Sequence, residues 1–313
     1  MPFEFTCPYC YKKTTVADDM AGQTGPCSGC GQRVTIPGEE LTQPAAPNQT
    51  ASVSAIAPGR SRTTPNSGLA LRIAGGIAAT GLLMCIALFI TWPLFGRMQQ
   101  QRNAVACITN MQRIANALNE YAADYGSYPP AVVCDSKGKP MYSWRILILQ
   151  YLGEEELLSE FNLDQAWDSQ QNALLIPKCP SIFKSPAIAI PSDSESHYSL
   201  LTGNGTLFPT SGPLGPGNIS DGADQTLLVV EVRNDLHEWT KPGDVDFTQL
   251  DRRIGGTGKH VIGGNHDGGA TAVFADGSDV WLPAEITPEL LDALVTPNGQ
   301  EPIDPKDFRF GDN

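Results

Sequence analysis

Residues 73–95 read IAGGIAATGLLMCIALFITWPLF, a run of 23 residues without one charged side chain. At about 1.5 Å of rise per residue, a helix of this length crosses a hydrocarbon core of roughly 30 Å. Trp92 lies near one end of the run, where an indole ring favours the membrane interface. Because a buried helix of a soluble protein rarely lacks charge on every face, residues 68–97 are predicted to form a transmembrane helix. The run starts too late for a cleavable signal peptide and is too long for one, so we expect it to remain as an anchor.

Two Cys-x-x-Cys pairs precede the apolar run: Cys7 with Cys10, and Cys27 with Cys30. This spacing is typical of tetrahedral thiolate coordination of structural Zn²⁺. A module of about 40 residues or fewer is too small to fold on an apolar core, so the metal would supply the folding free energy. Disulfides and thiol redox chemistry are alternatives, although no βαβ pattern surrounds the pairs. We predict a zinc ribbon over residues 1–38.

Composition separates the remaining segments. Residues 39–67 are rich in Pro, Ala, Ser, Thr, Asn and Gln without apolar periodicity, and are predicted to form a disordered linker. Residues 98–313 hold 14 basic and 29 acidic residues. Such a domain repels nucleic acid, and the ribbon carries only Lys12, Lys13 and Arg33 as basic residues. No nucleic-acid partner is therefore expected.

The acidic part of the chain is predicted to have an α+β fold. A helix over residues 98–125 is indicated by apolar residues at steps of three and four: Val105, Ile108, Met111, Ala115, Leu118 and Ala122. Strands are predicted at short apolar runs between Gly, Asp and Asn turns: residues 142–152, 227–232, 271–274 and 280–282. A short helix is predicted through Val295, with Thr287 as N-cap and Pro288 in the first turn. The expected architecture is a long N-terminal helix, partly transmembrane, packed on an antiparallel β-sheet.

Several blocks of this region carry a family resemblance. The helix resembles the first helix of type IV pilin-like proteins through Cys107, residues 110–114 (NMQRI), Tyr121 and residues 129–130 (PP). Near the C-terminus, His266 is followed by nine residues and then by Asp276 and Gly277. Further blocks lie at residues 143–145, 151–152, 166–168, 172, 179–180, 219–222, 226, 231, 239–242, 279–282 and 299–301. Residues 98–303 thus resemble a large planctomycete-type, pseudopilin-like family of unknown function with a C-terminal His-x9-Asp-Gly signature. The resemblance implies a pilin-like domain, with residues 304–313 as a tail.

One departure from pilin-like proteins concerns the region before the helix. Such proteins normally begin with a prepilin cleavage site, a Gly before Phe-Thr-Leu-Val-Glu, followed at once by the apolar helix. Here a ribbon and a linker precede the helix, and no acidic residue lies within residues 73–95. We therefore expect neither prepilin processing nor filament assembly.

The signature residues His266 and Asp276 have two interpretations. A hydrolase-type enzyme could use them as a catalytic pair, although the sequence has no Gly-x-Ser-x-Gly elbow and no His-Glu-x-x-His helix. Alternatively, Asp276 and Gly277 form a hairpin turn, and His266 makes a structural hydrogen bond near the start of the strand before it. We favour the structural interpretation and predict that the protein is not an enzyme.

A carboxylate-rich stretch is a second candidate for metal binding. Oxygen ligands suit Ca²⁺, and the pseudopilin resemblance implies a calcium site near the loops of the sheet. No EF-hand spacing is present, and a solvated acidic loop is the alternative. The candidate ligands are Asp221, Asp224, Glu231, Asp244, Asp246 and Asp251.

Cysteine chemistry determines the predicted topology. Arginines near the run are balanced, three on each side, so the charge rule does not orient it. Oxidation of the four ribbon cysteines to disulfides would destroy the zinc site, so the ribbon requires a reducing compartment. This places the ribbon in the cytoplasm and residues 98–313 outside the inner membrane. Among Cys107, Cys134 and Cys179 in the outer domain we favour a Cys107–Cys179 disulfide, which requires Cα atoms within about 7 Å.

These expectations combine into one prediction of function. The chain is predicted to be a non-enzymatic, single-pass envelope protein that displays a pilin-like domain outside the membrane and a zinc ribbon inside. One alternative is a transmembrane signalling adaptor whose ribbon binds a cytoplasmic protein partner while the outer domain senses a ligand. The other is a hydrolase-type enzyme that uses the region of His266 and Asp276. Protein partners could bind through the ribbon and through the outer domain.

Overall fold

A computed structural model describes residues 3–6, 13–28, 33–36, 67–234 and 236–310. The chain divides into two compact units, Met1–Ser67 and Gly68–Asn313. Two antiparallel hairpins form the described part of the first unit. Strand β1 (Phe3–Thr6) pairs with β2 (Lys13–Val16), and β3 (Thr24–Pro26) pairs with β4 (Arg33–Thr35). Val16 and Val34 are the buried apolar residues of these hairpins.

The second unit is organised around one long helix, α1 (Ser67–Tyr125), of 59 residues. Its last turns are buried at the spacing expected for one helical face: Ala104, Cys107, Ile108, Met111, Ile114, Ala115, Ala117, Leu118 and Ala122. Val105 was expected on this face but is 51% exposed, so that assignment is wrong. Gly126 follows Tyr125 with a φ of 82°, a conformation that ends helices and that glycine adopts without strain. The side chains of residues 67–88 and 90–94 lie outside the description; among the described residues, no helix is long and apolar enough to cross a membrane.

A hairpin and short helices follow α1. Strand β5 (Val132–Cys134) pairs with β6 (Pro140–Ser143), and then come α2 (Trp144–Leu147), a 3₁₀ turn at Leu149–Leu152 and α3 (Glu155–Glu160). The predicted strand over residues 142–152 is therefore wrong beyond Ser143. The hydroxyl of Ser143 accepts a hydrogen bond from the Arg145 backbone N–H at 3.3 Å and caps α2. Residues 142–146, 148 and 149 are all buried, and periodicity cannot distinguish a helix from a strand in such a nearly continuous buried run.

Antiparallel pairing builds the central four-stranded sheet, in the order β14–β13–β10–β8. Its strands are β8 (Tyr198–Ser199), β10 (Leu227–Glu231), β13 (Gly269–Phe274) and β14 (Asp279–Pro283). Two smaller pairs flank it. Strand β7 (Glu195–Ser196) pairs antiparallel with β11 (His237–Glu238), and β9 (Leu201–Thr202) pairs in parallel with β12 (Val245–Asp246).

The central sheet separates two apolar cores because side chains alternate along its strands. Val229 and Val273 belong to the core that contains the buried face of α1. Val230 and Ala272 belong to the other core, which contains Leu291 of α4 (Pro288–Val295). Helix α4 begins at its N-cap Thr287, whose side chain accepts a hydrogen bond from the Leu290 N–H at 3.3 Å. The unit thus combines helices with antiparallel sheets.

Candidate functional site

Three side chains of different chemistry meet inside the second unit. Cys107 lies on α1, Glu231 is the last residue of β10, and His266 lies in the loop before β13. All three are enclosed: Cys107 is 0% exposed, and the side chains of His266 and Glu231 are 3% and 1% exposed. One potential ligand atom from each lies within 4.8 Å of the others. We refer to these three residues as the Cys–Glu–His cluster.

Two hydroxyl groups hold the carboxylate of the cluster in place. Thr271 Oγ1 donates to Glu231 Oε2 at 2.5 Å, and Ser185 Oγ donates to Glu231 Oε1 at 2.8 Å. The Cys107 Sγ lies 3.7 Å from Glu231 Oε1 and 3.2 Å from Ser185 Oγ. Gly264 completes the enclosure, because a Cβ at this position would overlap the Glu231 carboxylate. Glu231 therefore has one well-defined orientation.

The imidazole of His266 is close to Glu231 but poorly hydrogen-bonded. Its Nε2 lies 2.9 Å from Glu231 Oε2, a charge contact. Neither Nε2 nor Nδ1, however, has a correctly aligned hydrogen-bond partner among the described residues. Most buried polar groups in proteins do have such a partner. The ring is thus positioned by its contact with Glu231, and its nitrogens retain hydrogen-bonding capacity that no described residue uses.

Electrostatics favour opposite charges on Glu231 and His266. Burial alone would raise the pKa of Glu231, but the contacts with His266, Thr271 and Ser185 outweigh it and lower that pKa. Burial alone would lower the pKa of His266, whereas its contacts with Cys107 and Glu231 raise it to about 10. A carboxylate facing an imidazolium is therefore the favoured state of the pair when nothing else is bound.

A cavity of about 300 Å³ opens beside His266. It is lined by Arg97, Gln100, Gln101, Ala104, His266, Asp267, Trp281, Arg309 and Phe310. Gln100 Nε2 donates to Asp267 Oδ2 at 2.6 Å, which ties α1 to the loop of the histidine. The His266 ring lies edge-on to Trp281, with centroids 6.3 Å apart. His266 thus lies between the buried carboxylate and a space that can hold solvent or a small ligand.

Comparison with known proteins relates the first part of this unit to one family. Residues 99–210 match its model. The family is described as a protein of unknown function (DUF1559). No curated protein and no solved structure matches the chain. The matched segment contains Cys107 and Ser185, whereas Glu231 and His266 lie beyond it.

The structure does not bring His266 to Asp276. Asp276 and Gly277 lie in the hairpin turn between β13 and β14, where the Asp276 Oδ1 accepts from the Ser278 N–H at 2.8 Å. His266 lies at the other end of β13, and a six-residue strand is about 20 Å long. The partner of His266 is Glu231, which the sequence suggested as a calcium ligand and as part of the family resemblance, but not as a partner of the histidine. The two residues are 35 positions apart, and periodicity relates only residues within one helix or strand, so the sequence pattern could not identify the pair.

The candidate calcium ligands contact different groups and do not form one cluster among the described residues. Asp244 pairs with Arg145, and Asp221 accepts from the backbone N–H groups of Gly299 and Gln300. Asp246 accepts from Thr248 and Gln249, Asp251 contacts Arg253, and Asp224 is exposed. Within the described ranges, the Cys–Glu–His cluster is the only group of three or more acidic, histidine or cysteine ligands. Calcium binding stays a prediction.

The favoured disulfide between Cys107 and Cys179 is not formed, so that expectation is wrong. Both thiols are buried and unbridged. The Cys107 Sγ faces Glu231, whereas the Cys179 Sγ lies 3.6 Å from the Glu195 carbonyl oxygen. The two sulfurs therefore face different surroundings.

The predicted zinc ligands lie mostly beyond what the structure describes. Cys7, Cys10 and Cys30 fall outside the described residues, and Cys27 directly follows β3 with partial exposure. In the sequence, the first pair lies between β1 and β2, and the second pair lies between β3 and β4. The zinc assignment stays a prediction.

A second buried ionic cluster is structural. Arg145 Nη2 lies 3.3 Å from Asp244 Oδ1 and donates to the Tyr198 carbonyl at 2.6 Å, and both charged side chains are at most 4% exposed. Trp144 Nε1 also donates to Asp244 Oδ1, at 3.1 Å. These bonds join α2 to β8 and to the residue directly before β12, so Trp144 and Arg145 have a structural role.

Proposed function

We propose that this protein is a membrane-anchored, non-enzymatic envelope protein whose outer α+β domain, of pilin-like type, is carried on α1. The observation that carries the proposal is the continuity of α1 (Ser67–Tyr125). The uncharged run at residues 73–95 occupies its first part, and the last part is buried in the core of the domain. One helix that contains both features couples an anchor rigidly to the domain it displays.

Exposed apolar residues on α1 support the proposal that a membrane lies next to the domain. Phe89, Phe95 and Met98 are 84%, 70% and 59% exposed. Large apolar side chains clustered on a protein surface usually mark a membrane or protein contact. Arg97 precedes Met98 and Arg102 follows it, and basic side chains at such positions can reach lipid headgroups. This order suits a helix that leaves the bilayer near residue 97.

The first unit supports the proposed topology. Hairpins β1–β2 and β3–β4 bracket the two Cys-x-x-Cys pairs, which is the arrangement of a zinc ribbon. We propose that Cys7, Cys10, Cys27 and Cys30 bind structural Zn²⁺ in the cytoplasm. A single crossing then places Gly68–Asn313, apart from the anchor, outside the inner membrane. The ribbon is free in this arrangement to contact a cytoplasmic protein.

A non-enzymatic role is supported by the surroundings of the signature histidine. A hydrolytic pair would need His266 and Asp276 within hydrogen-bond reach, about 2.6–3.2 Å. Instead, His266 contacts the enclosed Glu231, and Asp276 caps a hairpin turn. Cys107, the thiol next to His266, is fully buried and cannot meet a substrate as a nucleophile.

Membrane extraction of the full chain tests the anchor. Membranes from expressing cells are washed with alkaline carbonate, and the protein is followed in pellet and supernatant. The wild-type chain and a Gln101→Arg control, altered at an exposed position of α1 outside the run, should remain in the pellet. A Leu83→Arg, Ile86→Arg double variant should be extracted, because two charges at the centre of a span are costly. Extraction of the wild-type chain would refute the proposal.

A further inference from the structure

We propose that Cys107, Glu231 and His266 bind one transition-metal ion of the zinc class, at a site distinct from the cysteine ribbon. In a tetrahedral zinc site, bond lengths of about 2.0–2.3 Å place ligand atoms about 3.3–3.8 Å apart. The Cys107 Sγ lies 3.7 Å from Glu231 Oε1, and His266 Nε2 lies 2.9 Å from Glu231 Oε2. All three ligand atoms are within 4.8 Å of one another, so side-chain shifts of about 1 Å suffice.

The state of His266 is independent support for a bound metal ion. Its side chain is 3% exposed, and neither ring nitrogen has an aligned hydrogen-bond partner among the residues the structure describes. Leaving a buried imidazole in this state is unfavourable, since the contact with Glu231 replaces only part of its lost hydration. A metal ion between His266 and Glu231 satisfies the ring nitrogen and also separates the two side chains to normal ligand spacing.

The donor set selects the class of metal. Ca²⁺ and Mg²⁺ prefer oxygen ligands throughout, whereas a thiolate with an imidazole favours zinc and similar transition metals. Hydroxyl groups that hold a ligating carboxylate are a regular feature of such sites. Thr271 and Ser185 make those bonds to the two Glu231 oxygens here.

The cavity beside His266 supplies a route of entry and a fourth ligand. His266 and Ala104 both line it, and Ala104 lies one helical turn before Cys107 on α1. Water in the cavity can complete a four-coordinate ion held by three protein ligands. The three side chains are enclosed, and the cavity lined by His266 is the space from which an ion and a water molecule would enter.

Cobalt binding to the full chain in detergent tests this site. Cys7, Cys10, Cys27 and Cys30 are first replaced by Ser, so that the ribbon cannot bind Co²⁺. Cys85, Cys134 and Cys179 are also replaced by Ser, which leaves Cys107 as the only cysteine of the chain. This single-cysteine chain should bind about one Co²⁺, show a thiolate-to-cobalt charge-transfer band, and release Co²⁺ when Zn²⁺ is added.

Variants then assign the ligands. Adding His266→Gln to the single-cysteine chain should weaken Co²⁺ binding by about 100-fold or more, since it removes a ligand itself rather than one of its supports. The matched control changes His237, a partly exposed histidine outside the cluster, to Gln and should keep the band. Circular dichroism checks that each variant is folded.

Two results would overturn the proposal. One is a folded single-cysteine chain without a thiolate-to-cobalt band, because Cys107 is then no ligand. The other is full retention of Co²⁺ in His266→Gln. If the single-cysteine chain does not fold, the same band is measured in the chain that lacks only the four ribbon cysteines. In that chain the Cys107→Ser change must abolish the band and Cys134→Ser must preserve it, and any other result refutes the site.

Discussion

His266 Nε2 lies 2.9 Å from Glu231 Oε2, and both side chains are almost completely enclosed. The contact joins the loop before β13 to the end of β10 and brings both residues to Cys107 on α1. The histidine of the His-x9-Asp-Gly signature is therefore part of the interior, whereas its aspartate shapes a hairpin turn about 20 Å away along β13.

We predict that Thr271→Val weakens binding of Zn²⁺ to the Cys–Glu–His cluster by about 10–100-fold. The substitution preserves shape but removes the 2.5 Å hydrogen bond that orients the Glu231 carboxylate. Competition with a chromophoric chelator, in the chain without ribbon cysteines, measures the affinity. Thr271→Ser keeps the hydroxyl and should retain most of the affinity. Equal affinities for the Val and Ser variants would show that this hydroxyl does not support the site.

Breaking the buried ion pair should cost much more than breaking an exposed one. Asp244→Ala leaves Arg145 charged and enclosed, so we expect a loss of about 3–5 kcal/mol in the free energy of unfolding. Lys178→Ala breaks the pair with Glu160, whose side chains are about half exposed, and should cost no more than about 1 kcal/mol. Urea denaturation of the two variants measures both. Similar losses would contradict the structural role of Arg145 and Asp244.

His197 should make stability fall as the solution becomes acidic. It is 1% exposed, and burial lowers its pKa, although Glu231 and Glu195 act against this and Lys184 acts with it. The unfolded chain has the ordinary histidine pKa of about 6.5, so below that pH it takes up a proton that the folded state refuses. Stability from this residue is complete above about pH 6.5 and decreases as the pH falls toward the lower folded-state pKa.

The measurement compares urea midpoints at about pH 7.5 and about pH 5.5 for the wild-type chain and His197→Gln. Because Gln stays neutral, the variant should lose less stability between these values than the wild-type chain does. An identical loss in both chains would assign the acid sensitivity to other groups.

The proposed topology predicts that Cys134 is labelled from outside. This thiol is exposed on β5 of the outer domain. A membrane-impermeant maleimide applied to intact spheroplasts should therefore modify the wild-type chain, and Cys134→Ser should lose that label. Labelling of Cys134 only after the membrane is opened would reverse the topology and remove the compartment argument for the ribbon.

Local patterns in the sequence determine much of the secondary structure. The apolar steps of residues 98–125 indicate the buried face of α1, because side chains three and four apart share one side of a helix. The strands at Leu227–Glu231, Gly269–Phe274 and Asp279–Pro283 lie where short apolar runs between turn residues predict them. Thr287 begins α4 through a bond that its own hydroxyl makes three residues away.

Where such local signals are ambiguous or absent, only the tertiary structure decides which conformation forms and which side chains meet. Residues 144–152 form helical turns although their apolar run also suits a strand. Nearly all of residues 144–149 are buried, which removes the periodicity by which a sequence distinguishes the two. Cys107 contacts Glu231 and not Cys179, since the packing of α1 on the sheet determines which side chains its thiol faces.

The Cys–Glu–His cluster shows most directly why a sequence alone does not predict such a site. Its residues come from a helix, a strand end and a loop, and 124 positions separate Cys107 from Glu231. A sequence pattern predicts the conformation of residues that are neighbours along one helix or strand. This site, by contrast, forms only when the sheet has assembled and α1 has packed against it. The sequence by itself determined the elements and the residue types, and the fold decided which of them meet.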